Sequence, residues 1–523
     1  VWLHAEIKSL ADIPRYYARK LPEKTALIDG VGARTFRELD QTSSRIAAAM
    51  VAAGIPRRSH IGFIGKNSAR YFEALFGAAK AGCAVAPLNW RLSEAELALV
   101  INDAQCPIVL VDKEFAETAK SLQQRCEHPF RAIQFDSTTK VPNELETWLG
   151  ANAAADPFIE TAPEDTAVLI YTSGTTGKPK GVQLTHRGFG HMRLCEHLEP
   201  ALQWQPDDVM LMVMPAFHLV GTGLSVQALY NGSPVSILPA LDPGRTLKLI
   251  ERDRPTICAL VPTAIQMLLD HPDAATTDFS SLRLVMYAGS PISSRLLQRA
   301  ITQMKCRFMQ FYGATESSGA LTLLRPEQHD LNNEARLRSC GTPLPLIEIK
   351  IVDADGQELP DGATGEFWVR APSLFGGYWN QPEATAAVFQ DGWYRTGDAG
   401  FRDTEGLLYI VDRIKDMIVT GGENVYSGEV EQALQKHPSV RLSTVIGTPD
   451  ERWGEKVTAV VITADGAQLT AEEIIAHCRS LIAGYKVPKT VIFVDTLPMT
   501  ATGKVLKRAV REQIAKEIAS RVG

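Results

Sequence analysis

The sequence predicts an α/β protein: a large N-terminal part of several subdomains built on parallel sheets, a β-rich subdomain, and a small α+β domain at the C-terminus. Three observations predict it. Short apolar runs alternate with helical patterns through the first three hundred or so residues. The texture changes near Glu348 to short strands separated by turn residues. About a hundred residues then remain after a polar break, a sensible size for one compact domain.

Residues 36–53 carry Leu39, Ile46, Ala47 and Met50 at helical spacing and stop at Gly54. Ile61-Gly62-Phe63-Ile64, closed by Gly65-Lys66-Asn67, reads as a buried strand. Residues 71–81 read as the next helix and 84–88 as the next strand. Strand, helix, strand at this pace means parallel structure, and it returns with strands at 107–111, 209–213, 234–238 and 284–288. The β-rich part shows strands at 349–353, 365–370 and 407–411. Asp412-Arg413-Ile414-Lys415-Asp416 is a polar break. After it the pattern gives a helix from about Ser427, strands near Ser443 and Thr458, a helix from about Thr470, and a last helix from about Lys504.

With 523 residues, more than one core is expected. Net charge is -6, so no basic excess argues for a nucleic-acid surface, and a small-molecule partner is favoured. No apolar run approaches the roughly 18 residues of a membrane span. Residues 1–20 lack the apolar core of a signal peptide. The chain opens at Val1 rather than Met, which leaves room for a short leader before it. Eight cysteines are scattered without a C-x-x-C pair or metal-ligand spacing, as expected of buried thiols in a reducing, cytoplasmic setting.

The strongest chemical signal is Tyr171-Thr172-Ser173-Gly174-Thr175-Thr176-Gly177-Lys178-Pro179-Lys180-Gly181, after the apolar run Ala167-Val168-Leu169-Ile170. Three glycines permit tight backbone turns that expose N–H groups, and hydroxyls and lysines add donors and charge, a combination suited to a polyphosphate. The spacing is not that of a Walker loop, because only two residues separate Gly174 from Gly177.

This string resembles the signature phosphate loop of the adenylate-forming superfamily, which includes acyl-CoA synthetases, non-ribosomal adenylation domains and firefly-type luciferases. The resemblance continues in order over about residues 10–515. Gln310-Phe311-Tyr312-Gly313-Ala314-Thr315-Glu316 is similar to the adenine and magnesium motif, and Tyr394-Arg395-Thr396-Gly397-Asp398 to the ribose motif. Asp412-Arg413-Ile414-Lys415-Asp416 is similar to the interdomain hinge, and Pro498-Met499-Thr500-Ala501-Thr502-Gly503-Lys504 to the C-terminal lysine loop. The resemblance implies an N-terminal domain at 1–412, a hinge at 413–416 and a mobile C-terminal domain at 417–523.

It also implies roles. Thr172, Ser173, Gly174, Thr175, Thr176, Gly177 and Lys180 would hold phosphates. Gly289, Ser290, Pro291, Gln310, Phe311, Tyr312, Gly313 and Thr315 would border the adenine, where Tyr312 offers a flat face. Asp398 suits ribose hydroxyls, although locally it reads equally as a turn-stabilising residue. Thr172 and Glu316 would bind Mg²⁺, a hard cation that prefers oxygen. Arg413 would contact nucleotide, Lys415 would serve near the pivot, and Lys504 would assist adenylate transfer. His218, in Met214-Pro215-Ala216-Phe217-His218, would border the meeting point of acyl group and thiol. Gly421 and Gly422 would admit the pantetheine arm of coenzyme A.

The implied partners are a carboxylic acid, ATP and coenzyme A. Thr222 stands where some bacterial long-chain relatives carry a gating Trp. With Gly221 and Gly223 it is small, which points to room for a medium or long chain or a bulky cyclic acid. Ser427, where relatives often have Pro, is expected to cap a helix. Three other readings stay open: an acyl-AMP ligase loading a carrier protein, a luciferase-like oxygenase, and a nucleotide-binding relative without chemistry. The oligomeric state is open as well, with a homodimer among the assemblies allowed.

Overall fold

A computed structural model describes residues 4–150, 155–172, 179–289, 292–420, 423–450, 452–500 and 503–522, with side chains to residue 516. Four sheets organise it. One has six strands, in the order Arg131–Phe135, Ile108–Asp112, His60–Ile64, Ala84–Pro87, Thr166–Thr172, Lys180–Thr185. All its pairings are parallel except the last. A nine-stranded sheet has a parallel centre running from Arg307–Ala314 through Leu284–Tyr287, Ile257–Leu260, Met210–Met212 and Val235–Ile237 to Thr25–Asp29. Helices cover these sheets, so strands such as His60–Ile64 are buried at every position, which parallel pairing requires. A five-stranded antiparallel sheet follows, and a last sheet pairs Val440–Asp450 with Gly454–Thr463 under its own helices. The two smallest apolar cores draw only on residues from Ile418 onward.

Local rules account for the element ends. The helix Phe36–Ala52 starts on Thr35, whose hydroxyl accepts from the Glu38 amide while Glu38 reaches back, and it stops before Gly54 at φ 70°. Sequence periodicity did not reveal the hairpin Thr25–Asp29 with Gly32–Thr35, which extends the nine-stranded sheet. Nor did it show that the parallel strands divide between two sheets.

The elements that carry the site are, in chain order, β1 (Thr166–Thr172), β2 (Lys180–Thr185), α1 (His186–Leu198), α2 (Leu219–Tyr230), β3 (Arg307–Ala314), β4 (Trp393–Arg402), β5 (Leu408–Arg413), α3 (Ser427–Gln435) and α4 (Lys507–Val522).

Three expectations need correction. The polar stretch from Asp412 does not break the sheet at once: β5 continues through Arg413 because Asp412 and Arg413 still pair with Ala399 and Asp398, and the turn is Ile414–Asp416. The last helix begins at Lys507, because Lys504 closes a turn on Thr500. Ser427 does not cap α3; Tyr426 holds the cap position, and the Ser427 hydroxyl donates to Asp412 at 2.6 Å and accepts from Lys507.

The eight cysteines are all free, and six are buried. Among the described residues no helix is long and apolar enough to cross a membrane.

One buried side chain joins the two parallel sheets. Asn67, just after His60–Ile64, donates to the carbonyls of Met214 (3.1 Å) and Leu238 (3.0 Å) and accepts from the Ala216 amide (2.9 Å). It thus fixes the segment that leads to His218. Asn67→Ala orphans three buried backbone groups and is expected to cost about 2 kcal/mol or more. Chemical denaturation checks this, and a loss below about half a kcal/mol would show that the bridge is dispensable.

Candidate active site

A cleft of about 2670 Å³ runs between the large sheets and the C-terminal segment. One small-molecule pocket is roughly 300–1,000 Å³, so there is space for more than one ligand. His218 and Gly289 both lie just beyond strands of the parallel sheet, where α/β proteins place ligands.

β1 and β2 pair antiparallel with Thr172 opposite Lys180, so the two ends of the signature string lie side by side. Ser173, Gly174, Thr175, Thr176 and Gly177 lie outside the described residues, as do Ser290, Pro291, Gly421 and Gly422. Lys180 places its ammonium 4.6 Å from the centre of the Tyr378 ring, a cation–π contact. The Tyr378 hydroxyl donates to Glu316 Oε1 at 2.8 Å. One aromatic residue therefore joins the lysine of β2 to the carboxylate after β3. Thr315 opens the short 3₁₀ turn that carries Glu316.

β3 supplies Gln310, Phe311, Tyr312 and Gly313, all lining the cleft. Tyr287 donates to the Gln310 side chain at 3.3 Å. Tyr312 is tied down at its tip: its hydroxyl donates to Asp398 Oδ2 at 2.6 Å. The other oxygen of Asp398 pairs with Arg413 Nε at 2.6 Å. Asp398 and Arg413 face each other across β4 and β5, so sheet register makes this pair. The Asp398 carboxylate holds the Arg413 guanidinium above its ordinary pKa, and burial with the same carboxylate raises the Tyr312 phenol.

The C-terminal loop enters the same cleft. Gly503, at φ 74°, approaches Thr263 so closely that a Cβ there would collide with its hydroxyl. At Gly289, with φ 95°, a Cβ would press on Val261 at 3.3 Å and lie 3.9 Å from Lys504 Cε. Lys504 is exposed to solvent by accessible surface, with the walls of the cleft around it. This enclosure, then the Arg413 charge, lowers its pKa to about 8, and Asp398 opposes the shift. Lys415 sits on the Ile414–Asp416 turn, where burial, ahead of nearby charges, lowers its pKa. Arg511 of α4 holds Asp416 at 2.9 Å. His218 is the residue before α2; its Nε2 is buried without a partner, and burial, then Arg91 and Lys504, lowers its pKa to about 4.

The structure therefore gathers Thr172, Lys180, His218, Gly289, the β3 motif, Glu316, Asp398, Arg413, Lys415 and Lys504 around one cleft. It does not bring Thr222 or Gly221 to it. Thr222 is fully buried and bonded to Tyr71 (2.7 Å) and the Ala216 carbonyl (2.5 Å), while Gly221 packs on the carbonyls of Met214 and Pro215. The open face of α2 is instead Leu219, Val220, Gly223 and Leu224. Sequence reading missed Tyr378, Arg91, Arg193 and Glu196. Arg91 stands just past the strand Ala84–Pro87, a position that could have drawn attention; Tyr378 meets Glu316 only through the fold.

Among the described residues no group of three or more His, Cys, Asp or Glu could hold a metal. The donors offered are the Thr172 hydroxyl and the Glu316 carboxylate, both hard oxygens. They fit Mg²⁺ arriving on phosphates rather than a resident ion.

The His218 environment gives a direct expectation. Its imidazole stays neutral down to about pH 4, and Lys504→Met, which removes a neighbouring cation, raises that pKa. NMR titration of histidine-labelled protein checks both, and a midpoint near the ordinary 6.5 would refute the burial.

Comparison with known proteins agrees with this geometry. The AMP-binding enzyme family model matches residues 15–379, and that of the AMP-binding enzyme C-terminal domain matches 429–504. The chain is 34% identical to a fatty acid–[acyl-carrier-protein] ligase, ScoC, of Streptomyces coeruleorubidus over 99% of each chain. It is 36% identical to a feruloyl-CoA synthase of an Amycolatopsis species, over 97% of this chain and 99% of the relative. The o-succinylbenzoate CoA synthetase MenE of Bacillus subtilis, solved with its acyl-adenylate intermediate, superposes with a TM-score of 0.83 at 30% identity, covering 95% of this chain and 97% of that one. The chain belongs to the AMP-binding enzyme family, in the adenylate-forming superfamily to which these acid–thiol ligases belong.

Proposed function

We propose that the chain is an AMP-forming carboxylate–CoA ligase, converting a carboxylic acid, ATP and coenzyme A to acyl-CoA, AMP and pyrophosphate. The observation that carries this reading is the entry of Lys504 beside Gly289, in the field of Asp398 and Arg413. In the first half-reaction a carboxylate oxygen attacks the α-phosphorus in line, the α–β bridging bond breaks, and pyrophosphate leaves. The Lys504 ammonium spans carboxylate and α-phosphate and offsets the developing charge. The string from Thr172 to Lys180 holds the β- and γ-phosphates. Asp398 accepts from the ribose, with Tyr312 and Arg413 keeping its carboxylate in place, and Gln310, Phe311, Gly313 and Gly289 border the adenine. Mg²⁺, held by Thr172 and Glu316, neutralises phosphate charge when bound.

In the second half-reaction the thiol of coenzyme A gives up its proton to solvent and its sulfur attacks the acyl carbon, the bond to the AMP oxygen breaks, and AMP leaves. Residues 1–412 form one unit, 413–416 the pivot and 417–523 the moving unit, which turns about Lys415 to withdraw Lys504 and bring Gly421 and Gly422 to the cleft. His218, neutral and unpartnered, stands where acyl group and thiol meet. The apolar face of α2 suits a medium or long chain or a bulky cyclic acid. A second reading, transfer to a carrier protein, is favoured by the similarity to the acyl-carrier-protein ligase over nearly the full length.

Two outcomes test the assignment. Lys504→Ala is expected to lower acid-dependent pyrophosphate release by roughly 10²–10³, as loss of a charge-stabilising donor does, while thioester formation from supplied acyl-AMP is largely spared. Equal loss in both half-reactions would remove Lys504 from the first. Because the ammonium is the working form and its pKa lies near 8, adenylation kcat/KM for ATP should fall as pH rises through about 8. Bound phosphates stabilise the ammonium, so the same limb in kcat moves to higher pH. Lys504→Arg, which stays charged, should lose the limb; an unchanged profile would contradict the assignment.

A further inference from the structure

The cleft has an arm that the nucleotide does not account for. It is lined along α2 from His218 to Leu224 and, on α1, by Met192, Arg193 and Glu196. Its walls are apolar: Leu219, Val220 and Leu224 of α2, with Met192 of α1. Its end is not. Arg193 and Glu196 line the cleft and are only 5% and 8% exposed, and they pair through Nη2 and Oε1 at 2.7 Å. Gln227 is 1% exposed and its amide contacts Glu196.

What the pair leaves unsatisfied points to a ligand. Arg193 Nε and Nη1, Glu196 Oε2 and Gln227 Oε1 are all buried without a hydrogen-bond partner. One such atom is unremarkable, but nearly all buried polar groups find partners. Four in one cluster, beside a cleft, make a set of donors and acceptors held ready.

We infer that this cluster reads the far end of the acid, and that the preferred substrates carry a hydroxyl group there, remote from the carboxylate. The inference rests on the ligase reading above. A hydroxyl both accepts and donates, so it can take an N–H from Arg193 and give its proton to Glu196 or Gln227. A second carboxylate only accepts and would face Glu196. A methyl terminus satisfies none of the four atoms. Sites built to bond a substrate hydroxyl discriminate strongly, because the analogue lacking it leaves buried groups unpaired. The arm also sets a length. From His218, beside Lys504, to Gln227 is nine residues (218 to 227), about 13 Å along the helix axis at 1.5 Å per residue. That suits an ω-hydroxylated chain of medium length.

The test is a matched-pair panel: para-hydroxycinnamate against cinnamate, and ω-hydroxydecanoate against decanoate, with decanedioate added. Pyrophosphate release gives kcat/KM for each, and thermal shift reads binding of the same free acids without turnover. The full-length wild type should prefer the hydroxylated member of at least one pair by about tenfold or more, and be stabilised more by it. In Arg193→Met/Glu196→Leu, which removes both charges together so that neither is stranded, that ratio should fall towards unity. Turnover of the plain acids with no hydroxyl preference, a preference for the diacid, or an unchanged ratio in the double variant would overturn the inference while leaving the ligase reading intact. If no acid releases pyrophosphate, the ligase reading fails, and equal thermal shifts within each pair would then overturn this inference separately.

Discussion

The Asp398 carboxylate is the constraint on which the cleft depends. It is 4% exposed, and a buried carboxylate persists only when its oxygens are engaged. Tyr312 takes one oxygen and Arg413 the other. Because the two partners come from β3 and from the last residue of β5, this single charge ties the parallel sheet to the antiparallel one. It also sets where the Ile414–Asp416 turn departs. The C-terminal loop lies in the same field, since the Lys504 pKa is lowered first by desolvation and then by the Arg413 charge, and is supported by Asp398. An anion entering here relieves the crowding of two cations that the carboxylate alone does not balance.

Around that node the protein keeps polar groups in reserve. His218 Nε2 and four atoms of the Arg193–Glu196–Gln227 cluster are buried without partners, and His218, Arg193 and Glu196 line the cleft. Asn67, by contrast, uses its whole amide to bridge the two sheets. The segment past the Ile414–Asp416 turn is organised differently. Asp412 is held by Ser427, Ser427 by Lys507, and Asp416 by Arg511, so both ends of the turn are fastened to the C-terminal helices. The proposed rotation about Lys415 would have to break the Asp412–Ser427 contact, because its two ends lie on opposite sides of the turn.

Much of this was legible in the sequence, for particular reasons. Strands such as His60–Ile64 are buried on both faces, so they show as continuous apolar runs, and their spacing by helices implied parallel pairing. The residues with the clearest chemistry stand in short contiguous strings, which is why the β3 motif, Asp398, Arg413 and Lys504 could be named before their meeting was seen. What failed depends on the third dimension. Thr222 is small, but its hydroxyl bonds to Tyr71 and so faces the core rather than the acid. Ser427 sits beside a helix start, yet it serves Asp412. Tyr378 and Arg193 look ordinary in sequence. Only contacts across 62 residues, from Tyr378 to Glu316, or between two helices, from Glu196 to Gln227, give them meaning.

The measurement that tests the central claim most directly is identification of the products, by mass spectrometry, when the full chain is given MgATP and carboxylic acids with and without coenzyme A. The account predicts acyl-AMP and pyrophosphate without coenzyme A, and acyl-CoA with AMP when it is present. Acyl-AMP that persists in the presence of coenzyme A would contradict the proposed acceptor and favour a carrier protein, and ATP left uncleaved with every acid would contradict adenylation itself.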